Sequence, residues 1–96
     1  MYIQSQNEEI IMNWNNVYLI KAEPNVYVSN DNYQIVVYNN FGDKEVIGNY
    51  SSKENALQVI NELTEFITTK DNYILPSNEE VEEIWEITSQ KQDQQP

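Results

Sequence analysis

The sequence predicts an α+β domain, an antiparallel β-meander of about five or six strands packed by one helix, plus a short acidic C-terminal helix. Three observations predict it. Short β-branched and aromatic runs punctuated by turn residues fill the region before Ser51; from Ser51 the apolar spacing becomes helical; and beyond Lys70 the chain turns glutamate-rich, as in "SNEEVEEIWE". The 96 residues fit one small domain with one modest core.

The strands follow in order. "YIQS" and "EIIMNW", on either side of the polar "QNEE", predict a first hairpin. "VYLIKA" is β-branched and aromatic and stops at Glu23-Pro24, where proline cannot donate to a ladder. "NVYVSN" alternates, which predicts a strand with Val26 and Val28 on one face and Tyr27 and Ser29 on the other. "SNDN" predicts a turn. "YQIVVYNN" sets Tyr33, Ile35 and Val37 on one face and Gln34, Val36 and Tyr38 on the other. "NNFGDK" predicts a further turn in which Gly42 takes any positive φ, and "EVIGNY" is the last strand.

The helix is predicted over "SSKENALQVINELTEFITTK", opened by a capping box from Ser51 to Glu54. Ala56, Val59, Ile60, Leu63 and Ile67 recur at helical spacing, Leu57 and Phe66 widen the stripe, and Glu62 and Glu65 lie away from it. Such a helix covers one face of the meander and leaves the other, with its tyrosines, as a candidate interaction surface.

Beyond "KDN" the short "YILP" reads as extended, and Ser77 with Glu80 forms a second capping box. There Val81, Ile84, Trp85 and Thr88 share a stripe that docks on the body, with Glu79, Glu82, Glu83 and Glu86 on the opposite arc. The predicted organisation is residues 1–70 as meander with packed helix, 71–89 as an acidic helical extension of the same domain, and 90–96 as a disordered tail.

Charge and composition narrow function. The formal net charge is -11, and the field it creates repels phosphate and attracts cationic surfaces, so direct nucleic-acid binding is not expected. Through Lys70 there are 4 lysines and 9 acids, and after it 1 lysine and 7 acids, so -5 and -6 fall on very unequal lengths. The chain has no His, Cys or Arg, which removes the common nucleophile–base pairs, thiolate metal sites and the guanidinium clamp. No catalytic residue, cofactor or metal ligand set is expected, because the tail carboxylates diverge and neither turn supplies the full oxygen set of a calcium loop. Tyr27, Tyr33, Tyr38, Tyr50 and Trp14 would be stacking platforms only beside a basic groove, so they are expected as core edges and cross-strand pairs. The absence of cysteine, of a signal-peptide pattern and of a long apolar run predicts a cytoplasmic protein with no membrane partner.

Glu79, Glu80, Glu82, Glu83 and Glu86 span about 10 Å of helix, roughly one charge per 2 Å, against about 1.7 Å for duplex DNA. That density makes them the candidate partner-binding residues. The competing expectation is a solvated helix face of a good helix former.

"MYIQSQNEEIIMNWNNVYLI" followed by "VIGNYSSKENALQVINEL" resembles a family of small uncharacterised proteins of Firmicutes, their phages and mobile elements. The shared pattern is a Met-Tyr-Ile-Gln start, an Asn-Val strand, a Gly-x-Tyr-x-Ser strand end and a helix with Ala in its first buried turn. The resemblance covers roughly the first seventy residues and brings no catalytic residue. It implies a genomic setting in which small acidic proteins are similar in kind to anti-CRISPR and other anti-defence inhibitors. The leading expectation is therefore a non-enzymatic inhibitor that occupies a basic groove of a Cas nuclease or other nucleic-acid enzyme by charge mimicry. The alternative is a structural or adaptor module that forms a homodimer or binds another protein through an exposed sheet face or edge.

Overall fold

The computed structural model describes residues 1–67, 69 and 72–83, and shows an α+β arrangement of six strands and one main helix. The strands are β1 (Tyr2–Gln4), β2 (Ile11–Asn13), β3 (Val17–Pro24), β4 (Tyr33–Asn39), β5 (Lys44–Tyr50) and β6 (Tyr73–Ile74), with α1 (Lys53–Phe66) between the last two. They form two three-stranded sheets, ordered β2-β1-β6 and β3-β4-β5, and not the single five- or six-stranded meander expected. The division occurs at Trp14–Asn16, a 3-10 turn held by the Asn13 side chain, which accepts from the Asn15 N–H at 3.0 Å. This turn takes the chain out of β2 before β3 can pair with it. The free edge of β1 is filled by β6 in parallel, Ile3 opposite Tyr73.

The expected β1–β2 hairpin forms, with Ile3 opposite Met12. The expected strand at "NVYVSN" does not. Asn25 C=O accepts from the N–H groups of Val28 and Ser29, and the Ser29 hydroxyl lies 2.6 Å from Asn32 Oδ1. Polar side chains that bond their own backbone hold this segment as a turn against its alternating pattern. Tyr27, expected at a core edge, is 98% exposed at its tip.

Helix α1 is capped one residue later than expected, because Ser52 Oγ, not Ser51, accepts the Asn55 N–H at 3.1 Å. Its buried face is Ala56, Val59 and Leu63, with Ile60 and Phe66 partly buried against it. Leu57 stays exposed and does not widen the stripe. Both sheets feed one core. Ile3 and Tyr73 come from the small sheet, Ile35, Val37, Ile47 and Tyr50 from the large one, and Leu75 and Val81 from the chain after α1. Each fully buried aliphatic contributes roughly 1.5–3 kcal/mol by leaving water.

The large sheet carries a bulge between Ile35 and Val36 in the β4–β5 pairing. Beside it, a Cβ on Gly48 would sit 2.9 Å from both Leu75 Cδ2 and the Tyr50 ring, so only glycine lets those side chains close over β5. The outer face of this sheet mixes the exposed apolar side chains of Leu19 and Val46 with charged ones. Val36 points there yet is 0% exposed, lying between Lys21 of β3 and Val46 of β5. Glu23 accepts from Lys44 Nζ at 2.6 Å and Gln34 Nε2 at 2.7 Å, and Lys21 Nζ stands 5.6 Å over the Tyr38 ring. Tyr33 and Tyr50 lie on the core side. Among the described residues no helix is long and apolar enough to cross a membrane.

Candidate functional site

Residues 78–83 take helical backbone, started by Ser77. The Glu80 N–H donates to Ser77 Oγ at 3.2 Å, as the Ser-x-x-Glu spacing predicts, and the Ser77 hydroxyl lies 3.2 Å from Glu80 Oε1. Val81 is 1% exposed and belongs to the core, so this end of the predicted docking stripe is in place. Steps of about 100° per residue set Asn78 and Glu82 on one flank of Val81 and spread Glu79, Glu80 and Glu83 over the far arc.

The flank facing α1 forms a polar junction. Asn78 Oδ1 accepts from the Ser51 N–H at 2.9 Å and from Asn55 Nδ2 at 3.3 Å. Glu82 Oε1 accepts from the Ser51 hydroxyl at 2.9 Å, from Asn78 Nδ2 at 3.2 Å and from Asn55 Nδ2 at 3.5 Å. The Glu82 carboxylate thereby lies at the positive end of α1, where the helix dipole favours an anion. Below the junction, the Tyr50 hydroxyl donates to the Pro76 C=O at 2.7 Å. Burial pushes the Tyr50 phenol above its ordinary pKa, and the charges of Glu80 and Glu62 push it further. Tyr73 is raised likewise, first by burial and then by the charge of Glu62.

The five predicted partner-binding glutamates therefore separate. Glu79, Glu80 and Glu83 are exposed on the far arc, and Glu82 is tied to the body through Ser51 and Asn55. Glu86 lies outside the described residues, as do Ile84, Trp85, Thr88 and the predicted tail 90–96. Two acids that the tail pattern does not include stand at the same end. Glu54 is in the first turn of α1, and with Asp31 it borders a shallow hollow that also includes Ser51, Ser52 and Lys53. The signal for Glu54 was its place in the helix start; Asp31 comes in only through the fold.

Lys53 is the one described lysine at this end, beside Glu54, and the other two described lysines lie elsewhere. Within the described residues both ion pairs end on Glu23, with Lys44 at 2.6 Å and Lys21 at 3.5 Å. The hydrogen bonds from Lys44 and then Gln34 hold the Glu23 carboxyl below its ordinary pKa, and Glu23 in turn raises Lys44. Two of the three described lysines are thus drawn onto one carboxylate on the outer face of the large sheet. A second exposed feature is the outer face of the small sheet, where Tyr2, Ile11 and Ile74 border a groove of about 390 Å³. Among the described residues no group of three or more Asp, Glu, His or Cys side chains is placed to hold a metal ion. No protein-family model matches the chain, and no curated protein or solved structure matches it.

Proposed function

We propose that the protein is a non-enzymatic inhibitor that binds a basic groove of a nucleic-acid enzyme through carboxylates gathered where the tail meets α1. The single observation behind this reading is the separation of charge. Lys21 and Lys44 are spent on Glu23, while Glu54, Glu79, Glu80 and Glu83 face solvent at the other site with Lys53 as the single described lysine there. Glu79, Glu80 and Glu83 fall within about 6 Å of helix rise, roughly one charge per 2 Å of axis against about 1.7 Å for duplex DNA. Glu82 positions this arc by fixing the helix to Ser51 and Asn55. A cytoplasmic anti-defence role, with a Cas nuclease as target, is the setting that the resemblance to phage and mobile-element proteins implies.

The test reverses the outward arc alone, as Glu79→Lys, Glu80→Lys and Glu83→Lys combined, and leaves Glu82 in place. Purified Cas nucleases and restriction enzymes are assayed for cleavage with wild type or variant added, at low and high salt. Inhibition by the wild type that weakens with salt and is lost in the variant supports the reading. Inhibition unaffected by the reversal, or no inhibition of any enzyme in the panel, contradicts it.

A further inference from the structure

We propose that the outer edge of β3 pairs with the same edge of a second copy of this chain, antiparallel, about a two-fold axis at Ala22. The bonding pattern of β3 sets this up. The Asn25 N–H donates to the Asn32 C=O at 2.8 Å, which makes Asn25 and Asn32 a hydrogen-bonded pair. Alternation then turns the backbone groups of Leu19, Lys21 and Glu23 toward β4, and those of Ile20, Ala22 and Pro24 outward. Pro24, which has no N–H, falls where no ladder bond is lost. Among the described residues nothing bonds to this outer edge. Helix α1 contacts β3, β4 and β5, and β3 most, from the core face that carries the Ile20 and Ala22 side chains, while the outward backbone groups lie in the plane of the sheet.

Charge selects both the occupant and the register. With Ala22 opposite Ala22 of the second copy, Ile20 lies opposite Pro24, and about four backbone hydrogen bonds form. Lys21 then stands opposite Glu23 of the second copy, and Glu23 opposite its Lys21, on the outer face. The neighbouring register of the same parity puts Lys21 against Lys21 and is disfavoured. The same two-fold brings Tyr18 and Leu19 of one copy beside Val26, Tyr27 and Val28 of the other. These five are all exposed in the single chain, Tyr18 at 77%. A net charge of -11 on each copy opposes association, and the two Lys21–Glu23 contacts across the two-fold, which extend the Lys21–Glu23 pair within each chain, offset that locally.

The test measures the oligomeric state of the full chain by sedimentation across concentration. Wild type is expected to dimerise. Lys21→Glu and Glu23→Lys, each alone, put like charges opposite one another twice and are expected to raise the dimer dissociation constant about tenfold or more. Their equimolar mixture restores complementary pairs and is expected to dimerise as wild type does, a result that a merely unfolded variant cannot give. In a second measurement Ala22→Cys is oxidised gently. The chain has no cysteine of its own, and directly opposed hydrogen-bonded positions lie about 5.5 Å apart between Cα atoms, within disulfide reach, so a covalent dimer is expected. A wild type that is monomeric at every concentration overturns the proposal. So does a dimer that the single charge changes leave intact, or one that Ala22→Cys does not cross-link.

Discussion

The two edges of the large sheet are treated in opposite ways. At the β5 edge, Gln6 acts as a neighbouring strand would. Its N–H donates to the Ile47 C=O at 2.8 Å, its Oε1 accepts from the Asn49 N–H at 2.8 Å, and its Nε2 donates to the Asn49 C=O at 3.0 Å. The same Nε2 reaches the Pro76 C=O at 3.3 Å, joining both sheets to the chain that leads to the acidic helix. At the β3 edge, Ile20 and Ala22 turn their backbone groups outward and the described residues offer them nothing. One primary amide, which carries the same donor and acceptor as a peptide, closes an edge. An edge left open over a strand of this length is a place for another chain.

The largest effect is expected beneath the closed edge. Leu75→Ala removes a buried side chain that packs over Gly48, and it should cost about 2–5 kcal/mol in urea unfolding. A cost near zero would mean that this edge is not sealed by the chain after α1. Alkaline pH attacks the same region. Tyr50 and Tyr73 have folded pKa values raised above their unfolded value of about 10, so their stabilisation is full below pH 10 and is lost as pH rises. Each should lose about 1.4 kcal/mol per pH unit above 10, and Lys44, also raised, acts in the same direction. In a variant whose other five tyrosines are replaced by phenylalanine, tyrosinate absorbance should rise together with loss of circular dichroism. Ionisation that comes first, with the fold intact, would show that these phenols are not buried.

Gly48→Ala should cost about 1–3 kcal/mol by overpacking against Leu75 and Tyr50, read as a lowered melting temperature. Gln6→Ala should cost about 1–2 kcal/mol, since it leaves the Asn49 N–H without its partner. The matched change at the open edge, Tyr18→Ala, removes a side chain that is 77% exposed and should stay within about 0.5 kcal/mol at a dilution where the chain is monomeric. Equal costs at the two positions would erase the contrast between the edges.

Much of the closed half was legible in the sequence, and the reason is local. The β1–β2 hairpin, the runs that became β3, β4 and β5, the existence and buried stripe of α1, and the Ser77 cap all follow from periodicity and capping within a few residues, whereas the cap of α1 falls on Ser52 and not Ser51. The split into two sheets was not legible, because β6 pairs in parallel with β1 from the far end of the chain, where periodicity carries no information. "NVYVSN" misled because its alternation is real while the Asn25 C=O closes a turn with the Val28 and Ser29 N–H groups and Ser29 Oγ accepts the Asp31 N–H. At the candidate site, the charge density of the tail was legible. The anchoring role of the exposed Glu82 was not, since it depends on Ser51 and Asn55 reaching it across the fold. Gln6 was invisible for the same reason: its partners are Ile47, Asn49 and Pro76.

Hydrogen exchange at three backbone amides tests the contrast between the edges most directly. At low protein concentration the Asn49 amide, bonded to Gln6, should be protected, and those of Ile20 and Ala22 should exchange fast. As concentration rises, Ile20 and Ala22 should become protected while Asn49 stays unchanged. Slow exchange of Ile20 and Ala22 at every dilution, or Asn49 exchanging as fast as they do, would contradict the account.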